Sequence, residues 1–253
     1  MVATAGVELM GAVQDFTSYV TTSAHWWGER GILHRTIEHM RLSVASVVAG
    51  GLIAIPPALA LGHVKRGGLF VQSIVNIGRA VPSFAILALL LPISLSYGFG
   101  LGFWPTFGAL VLLAIPPMFT NTYVGVRGVD PSIVEASRGM GMGGAQVLFR
   151  VETPIARPLI VTGVRIAAVQ VVATATLGAF VGFNGLGSYI NEGFRQQDDG
   201  KLLTGAVGVA ILAFLTEVFF SLVARRATPW LPSDRRPDVV VPEEVLTMKG
   251  ISE

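Results

Sequence analysis

Long apolar segments are the feature of this sequence that most restricts the folds available to it. Four segments, and a fifth that contains the adjacent prolines Pro116 and Pro117, are long enough to cross a hydrocarbon core of about 30 Å, which takes about 20 helical residues. We expect those prolines to break the segment that holds them. The segments lie at about residues 43–62, 69–94, 103–123, 158–183 and 203–224. The sequence therefore predicts an all-α membrane protein with five transmembrane helices.

Composition supports this class and excludes several functions. Of 253 residues, 52% are hydrophobic and only 13% are charged, so most of the chain must lie in lipid. The net charge of +2 gives no reason to expect a nucleic-acid partner. The sequence has no cysteine, which excludes disulfides, thiol catalysis and thiolate metal sites. We predict no metal site and no cofactor.

Positive charge is concentrated on alternate connections between the apolar segments. The connection 95–102 has no charge, and residues 184–202 carry both signs. Basic residues occur in the other connections and after the last segment, at Lys65, Arg66, Arg127, Arg138, Arg150, Arg157, Arg225 and Arg226. The positive-inside rule therefore predicts that the loop 124–157 and the C-terminus are cytoplasmic and that the N-terminus is outside.

Residues 1–42 are predicted to form an external segment before the first span. Residues 1–24 are weakly apolar and fit a surface segment better than a span. After Trp26 and Trp27, apolar residues fall on one side of a helix and charged residues on the others, which is typical of an interfacial helix along the membrane surface. Residues 225–253 are rich in Pro, Asp and Glu, and we expect a poorly ordered cytoplasmic tail.

Three residues of the predicted interfacial helix superficially resemble a metalloprotease pattern. His34, Glu38 and His39 have the spacing H-x3-E-H, which is neither H-E-x-x-H nor H-x-x-E-H. We interpret them as part of a solvated helix face.

A polar island at residues 135–154 separates the third and fourth apolar segments. Asp130 and Pro131 are suited to begin a helix of about two turns, and the glycines after it allow a turn. A second helix is predicted from Gly144, with Pro154 interrupting it near its end. Short amphipathic helices usually form because a partner surface covers their apolar side. The polar island is therefore a predicted docking site.

Polar residues recur along one face of the second and fourth apolar segments. Such groups are costly against lipid tails, so we expect this face to meet protein or water. The candidates for a translocation path are Asn76, Arg79, Ser83, Gln170 and Thr174. The alternative is close helix packing with interhelical hydrogen bonds, which we favour for the glycines Gly163 and Gly178 of the same stripe.

Other polar or glycine-rich features lie within or beside the apolar segments. The charged residues most clearly in apolar surroundings are Arg79, Arg165 and Glu217, and we favour a structural ion pair for each. Gly178–Gly187 contains four glycines among ten residues, which suits a gate as well as a simple turn.

The polar island resembles a signature of the permease subunits of bacterial binding-protein-dependent ABC importers, E-A-A-x3-G-x9-I-x-L-P. Ser137, Val151 and Thr153 replace the second Ala, the Ile and the Leu of that signature. In the family this segment is a pair of coupling helices that fits a groove on the ATPase subunit. The resemblance therefore implies an ATPase-coupling role for Glu135, Ala136, Ser137, Gly139, Gly141, Val147, Leu148, Val151 and Pro154.

Residues 30–230 as a whole look like the osmoprotectant branch of these permeases, which imports glycine betaine, carnitine, choline or related quaternary ammonium solutes. The similar runs are NTYVGVRGVDPSIVEASRGMGM and GVRIAAVQVVATATLGAFVGFNGLGSYI. Phe183 and Asn184 depart from the small pair that is common in the branch, which affects the shape of the predicted outer gate.

The resemblance implies the five-helix type I (MetI-like) fold in the bacterial plasma (inner) membrane. It also implies two cytoplasmic ATPases, an external substrate-binding protein and a second permease, either another copy or a relative. The chain has no G-x4-G-K-[ST] phosphate loop, so we expect a transport subunit rather than an enzyme. Alternatives are import of another small solute, such as an amino acid, a sulfonate or a thiol peptide, and secondary transport. For secondary transport we find neither an ion-coupling site nor an inverted repeat.

Overall fold

The computed structural model describes residues 2–65, 67, 68, 73 and 82–227. The described part of the chain is helical, with short 3-10 turns at Ser23–His25 and Ala175–Val181 and a π-helical segment at Leu148–Glu152. The α-helices, in chain order, are α1 (Val2–Thr21), α2 (Ile32–His63), α3 (Ser83–Ser96), α4 (Phe103–Arg127), α5 (Pro131–Gly139), α6 (Gly144–Val147), α7 (Thr153–Thr174), α8 (Leu186–Gln196) and α9 (Asp199–Ala227).

Among the described residues, four helical stretches are long and apolar enough to cross a membrane. They are α2, α4, the stretch Gly144–Val181 that contains α7, and α9. The predicted spans at 43–62, 103–123 and 203–224 fall within these stretches, and the predicted span 158–183 extends two residues beyond Val181. Helix α3 is apolar but shorter, and most of the predicted second span before it lies outside the described residues.

Helix α4 is the centre of the bundle and packs against both α2 and α7. Leu110, Ala114 and Met118 are buried in a core that also includes Leu42 of α2 and Val171 of α7. The helix continues through Pro116 and Pro117, so the prediction that these prolines break it is wrong. Tight packing on both sides explains this result, because helix-breaking residues are tolerated in spans that neighbouring helices support.

Helices α2 and α4 approach each other closely because small residues lie between them. A methyl group added at Gly50 would lie 2.8 Å from the Ala114 Cβ, and one added at Gly62 would lie 2.8 Å from the Val126 Cβ. Small residues at such contacts let helix backbones pack tightly in a membrane. The two helices therefore form a closely packed pair over much of the length of α2.

The predicted interfacial helix is not a separate element. Helix α2 runs unbroken from Ile32 to His63, about 48 Å at 1.5 Å per residue, so the helix has no break at the predicted boundary, residue 42. The polar residues that suggested a solvated face are in part buried, since Arg35 is 5% exposed and His39 is 0% exposed. His39 Nε2 hydrogen-bonds the Val172 carbonyl oxygen at 2.9 Å. The solvated-face interpretation is therefore wrong for His39, although His34 is exposed.

Gly187 of α8 lies against the backbone of the 3-10 turn that follows α7. A methyl group added there would lie 2.2 Å from the Thr176 carbonyl oxygen. Since backbone atoms cannot move aside cheaply, we expect Gly187→Ala to destabilise the protein by about 3 kcal/mol. The measurement is the thermal midpoint of the detergent-solubilised protein. Gly11→Ala is the matched control, because a methyl group there meets nothing within 4 Å. Equal midpoints for both variants would contradict the expectation.

Candidate functional site

The first helix of the polar island begins where the sequence predicts. Asp130 caps α5, because its Oδ1 accepts a hydrogen bond from the Ser132 backbone N–H at 2.8 Å. Hydrogen bonds from the Ser132 backbone and hydroxyl lower the pKa of Asp130. Pro131 follows in the first helical turn, where its missing N–H costs nothing. Local sequence therefore fixes the entry to the island.

A glycine turn follows α5. Gly141 has a φ of +86°, which favours glycine, and the Met142 N–H donates to the Ser137 carbonyl oxygen at 3.2 Å. Gly143 precedes α6 and its N–H donates to Gln146 Oε1 at 3.0 Å. The chain therefore reverses between α5 and α6 through a hydrogen-bonded turn.

The second helix of the island differs from the prediction. Helix α6 is one turn long and passes through the π-helical segment Leu148–Glu152 directly into α7. Pro154 lies in the first turn of α7 and does not interrupt the helix. A proline is tolerated at that position because its nitrogen has no hydrogen bond to donate there. The island is therefore joined to a membrane-spanning helix without a flexible break.

A small core holds the island together from inside. Val129, Val134 and Val147 are buried together, and Met142 packs against them. Val147 is 0% exposed. Ser137 is also buried, and its hydroxyl donates to the Ile133 carbonyl oxygen at 2.7 Å. Of the predicted coupling residues, Val147 and Ser137 therefore shape the island rather than present a surface.

The outer surface of the island carries the rest of the predicted coupling residues. Glu135, Ala136, Gly139 and Gly141 are exposed, and Leu148, Val151 and Pro154 are half-buried.

Large apolar side chains outside the predicted coupling set are also exposed on or beside the island. Met140 is 76% exposed and Phe149 is 63% exposed, and Ile133 lies just before the island at 42%. The sequence signal that could have identified them is the presence of large apolar residues in an otherwise polar stretch. The family signature and the helical spacing selected neighbouring residues instead. An apolar surface on the island favours contact with a protein partner.

An open cavity of about 460 Å³ lies between the end of α2 and α5. Its lining includes Glu135 together with the basic residues Lys65 and Arg138. At its edge, His63 Nδ1 and Glu152 Oε2 are 2.5 Å apart, and the Glu152 side chain is 1% exposed. The island therefore contacts α2 through a pair of titratable side chains.

The predicted path residues fall into three groups. Asn76 and Arg79 lie outside the described residues. Ser83 and Thr174 line the same small cavity of about 10 Å³ between α3, α4 and the end of α7. Gln170 is exposed on α7. The structure thus brings Ser83 and Thr174 together and leaves Gln170 on an open face of the chain.

The glycines of the stripe lie at helix contacts. A methyl group added at Gly163 would lie 2.8 Å from the Asn121 Cβ, and one added at Gly178 would lie 2.7 Å from a Thr106 methyl carbon. These distances support close helix packing at Gly163 and Gly178, as predicted for these two glycines.

Two charged residues of the spans form an ion pair with each other. Arg165 Nη1 of α7 lies 3.4 Å from Glu217 Oε1 of α9, and both side chains are partly exposed. The structural ion pair predicted for each of these residues is confirmed, and the partner of each is now known.

A second charged cluster lies between α2, α8 and α9, at the other end of α2 from the island. Arg35 pairs with Glu192 at 3.1 Å and donates to the Ser188 hydroxyl, and Lys201 approaches Glu192 at 2.6 Å. Burial opposes ionisation of Glu192, but the hydrogen bond from Lys201 and the charge of Arg35 prevail, so the pKa of Glu192 lies below its ordinary value. The cluster joins the start of α2 to α8.

Burial raises the pKa of Tyr189 to about 12. Its hydroxyl therefore stays protonated and donates to the Arg30 carbonyl oxygen at 2.7 Å. This hydrogen bond adds a further link between α8 and the chain just before α2.

The predicted gate follows α7 directly. Ala175–Val181 forms a 3-10 turn that ends at Gly182, whose φ is +90°. The Gly102 N–H donates to the Val181 carbonyl oxygen at 2.8 Å, and Phe183 is buried in the main core. Phe183, one of the two residues that depart from the osmoprotectant pattern, therefore packs inside the bundle.

The described residues contain no group of three or more His, Asp or Glu side chains placed to hold a metal ion. His34 and Glu38 lie on α2 beside the buried His39, whose ring nitrogen is already bonded to α7.

Residues 46–229 match the family described as "Binding-protein-dependent transport system inner membrane component". Two curated relatives from Bacillus subtilis (strain 168) are each 36% identical over 198 residues, which is 78% of this chain and 89% of theirs. They are the choline transport system permease protein OpuBB and the glycine betaine/carnitine/choline transport system permease protein OpuCB. The fold is similar to a chain of the MetNI methionine ABC transporter in an inward-facing conformation. The TM-score is 0.67 and the identity 25%, over 78% of this chain and 96% of that one.

Proposed function

The chain belongs to the family of binding-protein-dependent transport system inner membrane components, and on this basis we propose that it imports an osmoprotectant quaternary ammonium solute. It is a multi-pass, all-α permease subunit of the type I (MetI-like) fold. The relatives named for choline, carnitine and glycine betaine support the choice of solute. Identity of 36% over most of both chains is the single observation on which this choice depends.

The polar island is the proposed docking site for a cytoplasmic ATPase. Its exposed Met140 and Phe149 offer apolar contact area, and Glu135 adds a charge on the same segment. The site extends the coupling set that the signature indicates, with Val147 and Ser137 supporting it from inside. Because the island continues into α7 without a break, movement of the docked ATPase would move a spanning helix directly.

If the island docks a cytoplasmic ATPase, the orientation of the chain in the membrane and its other partners follow. The island and the tail after residue 225 are cytoplasmic, and the N-terminus is outside. The predicted second span, residues 69–94, lies in large part outside the described residues. An extracytoplasmic binding protein delivers the solute at the end that carries α8. A second permease, either a copy or a relative, covers the face that exposes Gln170, and together the two subunits enclose the path. Asn76, Arg79, Ser83 and Thr174 remain candidates to line that path.

Uptake by a deletion strain of the source organism tests the proposed solute. We expect the strain to lose high-affinity uptake of radiolabelled choline, glycine betaine or carnitine at raised osmolarity, and plasmid-borne wild-type protein to restore it. Labelled methionine is the comparison, because the fold is also similar to a methionine transporter. Unchanged uptake of all three osmoprotectants, together with loss of methionine uptake, would overturn the choice of solute in favour of an amino acid.

A further inference from the structure

Glu152 is a buried carboxyl group whose position calls for a functional explanation. It lies at the end of the π-helical segment, is 1% exposed, and its Oε2 is 2.5 Å from His63 Nδ1. Such a pair gains little stability over apolar residues of similar size, because the Glu152 carboxyl loses its hydration and His63, at 17% exposed, loses most of its own. The pair is therefore poorly explained as a stabilising contact alone.

His63 contacts one part of the polar island and lies close to two others. Its Nδ1 faces Glu152 at the end of the π-helical segment, and its Nε2 lies 3.5 Å from the position of a methyl group added at Gly144, where α6 begins. The same side chain lines the cavity formed with Val134 and Glu135 of α5. The inner end of α2 is thus joined to the island at Glu152 and lies beside its two helices.

The outer end of α2 is anchored in a similar way. Arg35 is bound to Ser188 and Glu192 of α8, and His39 is bound to the Val172 carbonyl oxygen, just before the 3-10 turn of the predicted gate. Between these ends the helix continues through Pro56 and Pro57 and packs tightly on α4. A displacement of the island at His63 would therefore be carried along α2 to the outer surface.

We propose that His63 and Glu152 are positioning residues that couple movement of the polar island to α2, and through α2 to the outer end of the permease. This proposal rests on the proposed function, since it takes the ATPase as the source of the movement. In this proposal, conformational change passes between the two surfaces of the importer through α2 as well as through α7.

Replacing His63 and Glu152 together by apolar residues tests whether the pair couples movement or only satisfies the polar groups of its two members. His63→Ala or Glu152→Ala alone removes one buried partner and leaves the other unpaired, so either variant can fail to assemble. His63→Leu combined with Glu152→Leu removes both polar groups and fills their space, which is often neutral for folding. The double variant therefore keeps the protein folded while it removes the polar link.

The assay uses the complete importer in proteoliposomes, with choline as the solute. ATP hydrolysis is measured with and without the choline-loaded binding protein. We expect the double leucine variant to lose stimulation by the binding protein on the order of tenfold, when stimulation is expressed relative to the variant's own basal hydrolysis per bound ATPase subunit. Glu152→Gln, which keeps an acceptor for His63, should retain stimulation. The matched control is Arg41→Leu with Glu38→Leu, which removes a pair from the same helix whose side chains are 70% and 28% exposed.

The outcomes distinguish this inference from the function on which it rests. Full stimulation of the double leucine variant would overturn the inference and leave the importer function intact. A wild-type preparation that carries no ATPase would overturn the importer function and the inference together. Loss of stimulation in the Arg41 and Glu38 control would show that the effect is not specific to the buried pair and would also overturn the inference.

Discussion

Replacing Met140 and Phe149 together by aspartate is expected to abolish retention of the ATPase by the purified permease. Both side chains are largely exposed on the polar island, at 76% and 63%, so their loss removes no core packing. Exposed apolar anchors of an interface typically contribute about 2 kcal/mol each when removed. Together they would weaken binding by more than about a hundredfold, which is enough to lose a co-purifying subunit.

The measurement is the ratio of ATPase to permease after affinity purification in mild detergent. Met10→Asp with Phe194→Asp is the matched control, because these residues are 74% and 76% exposed in parts of the chain far from the island. Both double variants should keep the wild-type thermal midpoint. Wild-type retention of the ATPase by the Met140 and Phe149 variant would show that the island docks through other residues or has another partner.

Short-range chemistry made the polar island predictable. Asp130 and Pro131 determine where α5 begins through a hydrogen bond to a residue only two positions away. Gly141 adopts a backbone conformation that its residue type favours, at the turn that the glycines predict. Features of this kind depend on a few neighbouring residues and can be read from them.

Long-range packing explains the failures at the N-terminal end of α2. The charged pattern from Arg30 to Arg41 is typical of a surface helix when the segment is considered alone. In the structure, Arg35 is covered by α8, whose Ser188 and Glu192 lie more than 150 residues away in the chain. His39 is covered by α7, through Val172. A sequence window contains no information about a covering element so distant from it.

Pro154 is a second case in which the local sequence is misleading, here about where a helix ends. A proline after a helical pattern ordinarily predicts the end of a helix, and here it lies in the first turn of the next one. The preceding π-helical segment changes the hydrogen-bond register before the proline is reached.

The ion pair between Arg165 and Glu217 is expected to be required for folding in the membrane. The sequence identifies both residues as charges in apolar segments, while the bundle determines that they meet, at 3.4 Å between α7 and α9. An unpaired charge costs about 3 kcal/mol at the centre of a span and less towards its ends, and both residues lie about two turns from an end of their predicted spans. We therefore expect Arg165→Ala and Glu217→Ala each to lower the yield of folded, membrane-inserted protein several-fold.

The reversed pair, Arg165→Glu with Glu217→Arg, is the decisive variant. It restores opposite charges at the same two positions, so its yield and thermal midpoint should exceed those of either single charge reversal, Arg165→Glu or Glu217→Arg. The alanine variants should also differ from each other. Arginine can extend towards the headgroups when its partner is missing, whereas the shorter glutamate cannot reach as far, so Arg165→Ala should be the more damaging of the two. If the reversed pair and the single charge reversals gave equal yields and equal thermal midpoints, the two charges would act independently.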